Sequence, residues 1–366
     1  MGSEQILFYK ARMRKLGALD RIFILLTIIF VSSFVRLYAA NEATTPTTTP
    51  RKIKIGLSLD TLKEERWQRD RDFFVKRATE LGAEVLVQSA NNSDALQNSQ
   101  AENLITQGVD VLVVVPHNGV TAASIVKAAH KAGKKVIAYD RLIQNADVDL
   151  YLSFDNVEVG RLQGEYALKR VPKGNYILIG GAPTDYNAKL FREGQMKALK
   201  PAIDKGDIKV VADQWARDWQ PSEALKHTEN ALSKNQNDIQ AVVASNDGTA
   251  GGAISALKQQ NLEKKVLVTG QDAELAACQR IAEGTQSMTI YKPIQSLAYS
   301  GAEAAVALAK GENVKTTSTV NNGRLDVPSL LIAPVSVDKE NLEQTVVKDG
   351  FHLKTEIYKN VSKAAK

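Results

Sequence analysis

Residues 110–141 read DVLVVVPHNGVTAASIVKAAHKAGKKVIAYDR, and the fold is decided there. DVLVVV (110–115) and KVIAY (135–139) are short runs rich in β-branched residues, separated by a longer amphipathic segment. Continuous apolar runs suit strands buried on both faces, and two of them joined by a helix make a βαβ unit of a parallel sheet. The rhythm continues on both sides. IKIGLSL (53–59) and EVLVQ (84–88) precede it, with the helical stretch WQRDRDFFVKRATELG between them, and LYLSF (150–154) follows. A second series comprises NYILIG (175–180), KVVADQ (209–214), AVVAS (241–245), KVLVTG (265–270) and MTIYK (288–292). The expected class is therefore α/β, with two parallel sheets of similar size.

Composition agrees with a folded body of that kind. The 366 residues are 44% hydrophobic and 24% charged, which excludes disordered, collagenous and coiled-coil chains and suggests two domains. Cys278 is the single cysteine, so neither an internal disulfide framework nor a cysteine-rich metal site is expected. The net charge of +6 does not mark a nucleic-acid partner. Residues 1–40 hold six of the 47 basic and two of the 41 acidic residues, leaving 41 against 39 in the remainder.

Those first 40 residues have the form of an export leader. A basic stretch ending at Arg21 precedes the apolar run Ile22–Val35, which is short for a spanning helix of about 20 residues. Cleavage after Ala40 would put Tyr38 where a small side chain is preferred, so a signal peptide and an uncleaved N-terminal anchor are both kept open. NEATTPTTTP (41–50) reads as a Thr/Pro linker, and the folded body is expected to begin near Arg51, outside the cytoplasm.

In open α/β sheets ligands gather beyond the carboxyl ends of the strands, where helix N-termini point free N–H groups at a crevice. The polar residues there are Asp60, Asp140, Arg141, Asp155, Asn156, Asp185, Asn187, Asn246, Asp247, Asp272 and Lys292. Asp and Asn are also favoured helix caps, and Asp155 and Asp247 read as caps or hinge residues. A cation at a helix start opposes the macrodipole, so Arg141 and Lys292 are stronger ligand candidates. Of the three tryptophans, Trp215 reads as core. Trp67 and Trp219 lie among charged residues, in EERWQRD and ARDWQP, with little apolar company. Aromatic plates with planar Asp, Asn and Arg groups around them suit a pyranose, whose C–H faces stack while its hydroxyls both donate and accept.

These segments resemble the type I periplasmic sugar-binding proteins, and specifically the D-xylose-binding members that serve ABC importers. The resemblance runs from residue 51 to about 353 and is carried by KEERWQRDRDFFVKRA, SQAENLITQGVDVLVVVPHNG, AYDRLI, YLSFDN, GNYILIGGAPTDYNAKLFREGQMKALKP, DQWARDW, VVASNDGTAGGAI, GQDAELA, QSMTIYKPI and NNGRLDVPS. It implies two Rossmann-like lobes joined by three chain crossings. Residues 52–155 with 293–322 would form the N-terminal lobe, residues 156–292 with 323–353 the C-terminal lobe, and 354–366 a flexible tail. Carried across position by position, it implies a sugar site of Arg66, Trp67, Asp140, Arg141, Asp185, Asn187, Trp219, Asn246, Asp272 and Lys292, with the two indoles sandwiching the ring.

The same resemblance implies a monomer that closes on D-xylose and delivers it to an ABC permease, or alternatively a membrane-tethered sensor presenting the bound form to a signalling partner. No cofactor, metal or nucleic acid is expected. An enzyme is disfavoured because Asp140, Asp185 and Asp272 each neighbour a cation or amide that would keep them ionised. His117, His130, His227 and His352 are scattered, and no HExxH, CxxC or G-x-S-x-G occurs. A sugar-responsive repressor would need a basic helix-turn-helix where residues 1–50 instead offer an apolar segment.

Overall fold

The computed structural model describes residues 51–361, together with Gly17, Leu19, Ile22 and Thr27 of the leader. The chain divides into two units, Met1–Arg51 and Lys52–Lys366. In the first, Leu19, Ile22 and Thr27 are helical. The expected cleavage site and the Thr/Pro linker lie outside the described residues. Among the described residues no helix is long and apolar enough to cross a membrane.

The second unit opens with β1 (Lys54–Leu59), α1 (Glu65–Glu80), β2 (Glu84–Ser89), α2 (Asp94–Thr106), β3 (Val111–Val114), α3 (Ala123–Lys131), β4 (Lys135–Tyr139) and β5 (Leu150–Phe154). The strands run parallel in the order β2-β1-β3-β4-β5. Side chains alternate across this sheet with period two. Ile55, Leu57, Val111, Val113, Ile137 and Tyr139 face α1 on one side. Leu112, Val114, Val136 and Ala138 face Leu104 of α2 and Ile125 of α3 on the other. Both faces are covered, so β3 is wholly buried.

A second series follows: α4 (Asn156–Arg170), β6 (Gly174–Gly180), α5 (Tyr186–Asp204), β7 (Ile208–Trp215), α6 (Pro221–Lys234), β8 (Ala241–Ala244), α7 (Asp247–Gln259), β9 (Leu267–Val268), α8 (Leu275–Glu283) and β10 (Met288–Tyr291). Its strands are parallel in the order β7-β6-β8-β9. Ile177, Ile179 and Val242 pack on one face, Tyr176, Leu178 and Val243 on the other. The strand β9 is short, yet backbone bonds continue the sheet: Ser287 N–H to Val268 O (2.9 Å), Ile290 N–H to Gly270 O (3.1 Å) and Asp272 N–H to Ile290 O (2.8 Å).

The chain then returns through α9 (Ile294–Ala309), whose Leu297, Ala298 and Ala302 join the core of the first sheet. It ends with β11 (Ser318–Asn321), β12 (Asp326–Ile332), β13 (Val335–Asp338), a π-turn at Glu343–Val347 and the short α10 (Lys354–Ile357). β12 pairs in parallel with β5, from Ser329↔Tyr151 to Ile332↔Phe154, and β11 lies antiparallel outside it. β13 pairs with β10. The chain thus passes between the two sheets three times, after β5, after β10 and after β12.

Three expectations are corrected here. Residues 323–332 belong to the first lobe, not the second, because DVPSLLI forms β12 and pairs with β5 within the first sheet, with Val327 in its core, before the chain crosses. The sheets are unequal: β11 and β12 extend the first to seven strands, while the second holds four plus the β10–β13 pair. The segment after 353 is packed rather than flexible over its described part. Ile357 is fully buried with Phe351, Cys278 and Ile281, and Tyr358 and Val361 pack against them.

Candidate functional site

Seven loops and helix starts, most of them at strand carboxyl ends, bring all ten of the expected residues around one narrow cavity of about 30 Å³. From the first lobe come Arg66 and Trp67 in the first turn of α1, and Asp140 and Arg141 after β4. From the second come Asp185 and Asn187 at the start of α5, Trp219 after β7, Asn246 after β8 and Asp272 after β9. Lys292 sits at the second crossing. Nine of these residues are at most 5% exposed, and Trp219 is 7% exposed.

Buried charge requires partners, and here the charges partner one another. The Arg66 guanidinium donates to Asp140 Oδ2 (2.8 Å) and to Asp70 Oδ2 (3.0 Å), with Asp272 Oδ1 at 3.5 Å. Lys292 Nζ lies 2.9 Å from Asp272 Oδ1 and 4.0 Å from Asp140 Oδ2. Arg141 Nη1 donates to Asp60 Oδ2 (2.6 Å), while its Nε faces Asp185 Oδ2 at 2.9 Å. Arg66–Asp272 and Arg141–Asp185 therefore link residues of opposite lobes. Three of the ten residues are cations and three are carboxylates, Glu64 adds a fourth carboxylate to the wall, and hydroxyl groups, which both donate and accept, can bond either kind.

Local backbone geometry aims these groups. Asp140 has φ 60° and Asp272 φ 93°, in the left-handed region that non-glycine residues seldom occupy. The Asp140 carbonyl is held by Ser153 Oγ (2.6 Å), Asn187 Nδ2 (2.9 Å) and Tyr151 Oη (3.1 Å). Trp219 (φ 56°) donates Nε1–H to Asp185 Oδ2 at 3.2 Å and meets Phe191 edge-on with centroids 6.3 Å apart. The Trp67 ring carries the Arg66 guanidinium at 4.1 Å and that of Arg141 at 5.3 Å.

Residues 55–313 match the family model of the periplasmic binding protein domain. The chain belongs to this family. It is 57% identical over 307 residues, 84% of the chain and 93% of the relative, to the D-xylose-binding periplasmic protein of Escherichia coli (strain K12). The protein of the same description from Haemophilus influenzae is 55% identical over 308 residues, again 84% of the chain and 93% of the relative. A carbohydrate transporter solute-binding protein from Chloroflexus aurantiacus, solved in complex with D-glucose, is similar with a TM-score of 0.78 and 31% identity, covering 84% of this chain and 98% of that one. The family's role is binding and transport, and this periplasmic binding protein is not an enzyme.

In this binding protein the carboxylates differ in ease of protonation. Burial pushes Asp140 up, but Arg66, Lys292 and Arg141 together hold it below the ordinary carboxylate range. For Asp185 burial outweighs Arg141, the Asp140 charge adds to the rise, and the group is raised above the ordinary carboxylate range. Two cap readings also separate. Asp155 caps α4, accepting from the Glu158 N–H. At α7 the cap is Asn246, which accepts from the Thr249 N–H at 2.9 Å, whereas Asp247 turns inward to accept from Gln286, Glu274 and Thr289. Trp215, expected in the core, is half-buried, with the Arg192 guanidinium 5.3 Å from its ring.

Sequence reasoning missed Glu64, Phe191 and Gln271, which also line the cavity. Gln271 precedes Asp272 at the end of a strand run, so its position could have singled it out. Phe191 is a helical residue with no such signal. Glu64 Oε2 and Gln271 Oε1 are buried acceptors without a protein partner, which marks them as open to a ligand hydroxyl. Among the described residues no group of His, Cys, Asp and Glu could hold a metal ion.

Proposed function

We propose that this protein binds D-xylose in the cleft between its lobes and passes it to an ABC-type permease. The observation that carries the reading is one cavity walled from both lobes by the buried Trp67 and Trp219, by three cations and, with Glu64, by four carboxylates. The curated relatives described as D-xylose-binding support the choice of sugar. Trp67 and Trp219 stack on the pyranose faces. Arg66, Arg141, Lys292, Asp140, Asp185, Asn187, Asn246 and Asp272 bond its hydroxyls, which substitute for part of the charge pairing among these side chains.

Only the closed form presents both sets of residues to one sugar, so D-xylose favours closure by its difference in affinity for the closed and open forms. The closed lobe surfaces are then the signal the permease reads, and the protein works as a periplasmic monomer. A pentopyranose lacks the exocyclic hydroxymethyl of glucose, so tight walls at that position select against hexoses. A micromolar dissociation constant corresponds to about 8 kcal/mol, well within reach of a small ligand so enclosed.

Titration calorimetry with D-xylose, D-glucose, D-ribose and L-arabinose tests this. One-to-one binding of D-xylose, with the other sugars at least about tenfold weaker, is expected. No response to D-xylose would overturn the reading.

A further inference from the structure

We propose that Asp60 and His117, which lie outside the cavity lining, are positioning residues that fix Arg141 for the sugar. The inference rests on the sugar-binding reading and extends it one layer behind the wall. An arginine side chain has several rotatable bonds, and its use as a bidentate donor depends on what holds the guanidinium. Here Nη1 is fully engaged by the first lobe, donating to Asp60 Oδ2 (2.6 Å) and to the Pro116 carbonyl (3.2 Å). That leaves Nε turned toward Asp185 of the second lobe at 2.9 Å.

Asp60 could itself rotate about its carboxyl bond, and His117 prevents this: Nδ1 meets Asp60 Oδ1 at 2.9 Å. His117 is fixed in turn. Its backbone N–H donates to Gln97 Oε1 (2.9 Å), and Gln97 Nε2 donates to the Val115 carbonyl (2.8 Å) and Ser58 Oγ (3.2 Å). Asp60, His117 and Gln97 are all buried. Burying so many polar groups is unfavourable unless their bonds are satisfied, and here the chain Gln97–His117–Asp60 ends on Arg141. Two residues beyond His117, the Gly119 N–H donates to the Thr184 carbonyl of the other lobe (3.1 Å), so the same turn touches the closing surface.

Removing Asp60 outright would strand the Arg141 charge and endanger folding, so His117 is the place to test. An Asn amide can put its Nδ2–H where the imidazole Nδ1 stands, whereas a Gln amide reaches toward the Nε2 side, which faces Asp94 at 3.4 Å. Calorimetry with D-xylose should show His117→Gln and His117→Ala about tenfold weaker than wild type and His117→Asn within about threefold. His130→Gln, at a surface pair with Asp149, should match wild type. Equal effects of Asn and Gln, or no effect of Gln, would overturn the inference. Crystal structures of the Gln and Asn variants supply a sugar-independent reading: Arg141 should leave Asp60 in the first and keep it in the second. If wild type takes no D-xylose, the sugar reading fails, and an unmoved Arg141 in the Gln variant overturns the positioning role separately.

Discussion

Trp219 stands at φ 56° directly against Gly181, where any Cβ would overlap the indole ring. The glycine is thus required by the close approach of the ring and not by its own backbone angle. Gly181→Ala should displace Trp219 and weaken D-xylose binding about tenfold, the worth of one aromatic stacking contact, while the circular dichroism spectrum stays that of wild type. Unchanged affinity in a folded variant would count against a stacking role. His117 gives a second prediction at this scale. Its hydrogen bond to Asp60 raises the imidazole above the usual 6.5, against burial and Arg141, and Asp94 adds to the rise. A raised imidazole stabilises the fold fully below 6.5 and loses that contribution as pH climbs through the folded value. Urea unfolding from about pH 6 to about pH 9 should show stability falling in wild type and falling less in His117→Asn. Identical slopes would refute it. Most of the wall was legible because strand-end Asp, Asn, Arg and Lys follow apolar runs that fix their place. Phe191 was not, since nothing in a helical pattern tells which face meets a cavity formed by a second lobe.

At the scale of elements, strand rhythm was readable where parallel strands are buried on both faces and therefore continuous in sequence, as in VLVV of β3 and AVVA of β8. It failed beyond residue 310. β12 contains Pro328 and alternates buried with exposed side chains, and β11 is largely exposed at the sheet edge, so neither shows a continuous apolar run. The C-terminal segment misled for a related reason: its apolar residues, Phe351, Ile357, Tyr358 and Val361, are sparse and spaced among charges. They nevertheless pack on α8 and on Tyr291, whose ring centroid lies 5.2 Å from that of Phe351. Arg69 of α1 also donates to the Phe351 carbonyl at 2.8 Å. Truncation after Gly350 should cost about 3 kcal/mol or more from Phe351 and Ile357 alone, read as a lower midpoint in urea unfolding. A truncated chain as stable as the full one would contradict this packing.

For the whole molecule, two sheets face each other across a cleft whose walls are each incomplete. Arg66 reaches from the first lobe to Asp272 of the second and Arg141 to Asp185, so the lobes meet through the same groups that a sugar would use. A ligand that bonds those groups more favourably than they bond one another shifts the balance toward closure, and one that does not leaves it unchanged. The three crossings supply the articulation, and backbone bonds tie two of them together: the Asp155 N–H donates to the Ile332 carbonyl at 3.1 Å. Such coupling of lobes was beyond the sequence, because pairing across the cleft depends on where two independently folded sheets come to rest. A crystal structure of the protein grown with D-xylose tests the central claim most directly. The sugar should lie between Trp67 and Trp219, with hydroxyls bonded to Asp140 or Arg141 on one side and to Asp185, Asn246 or Asp272 on the other. D-xylose held by one lobe alone, or outside this cavity, would contradict the account.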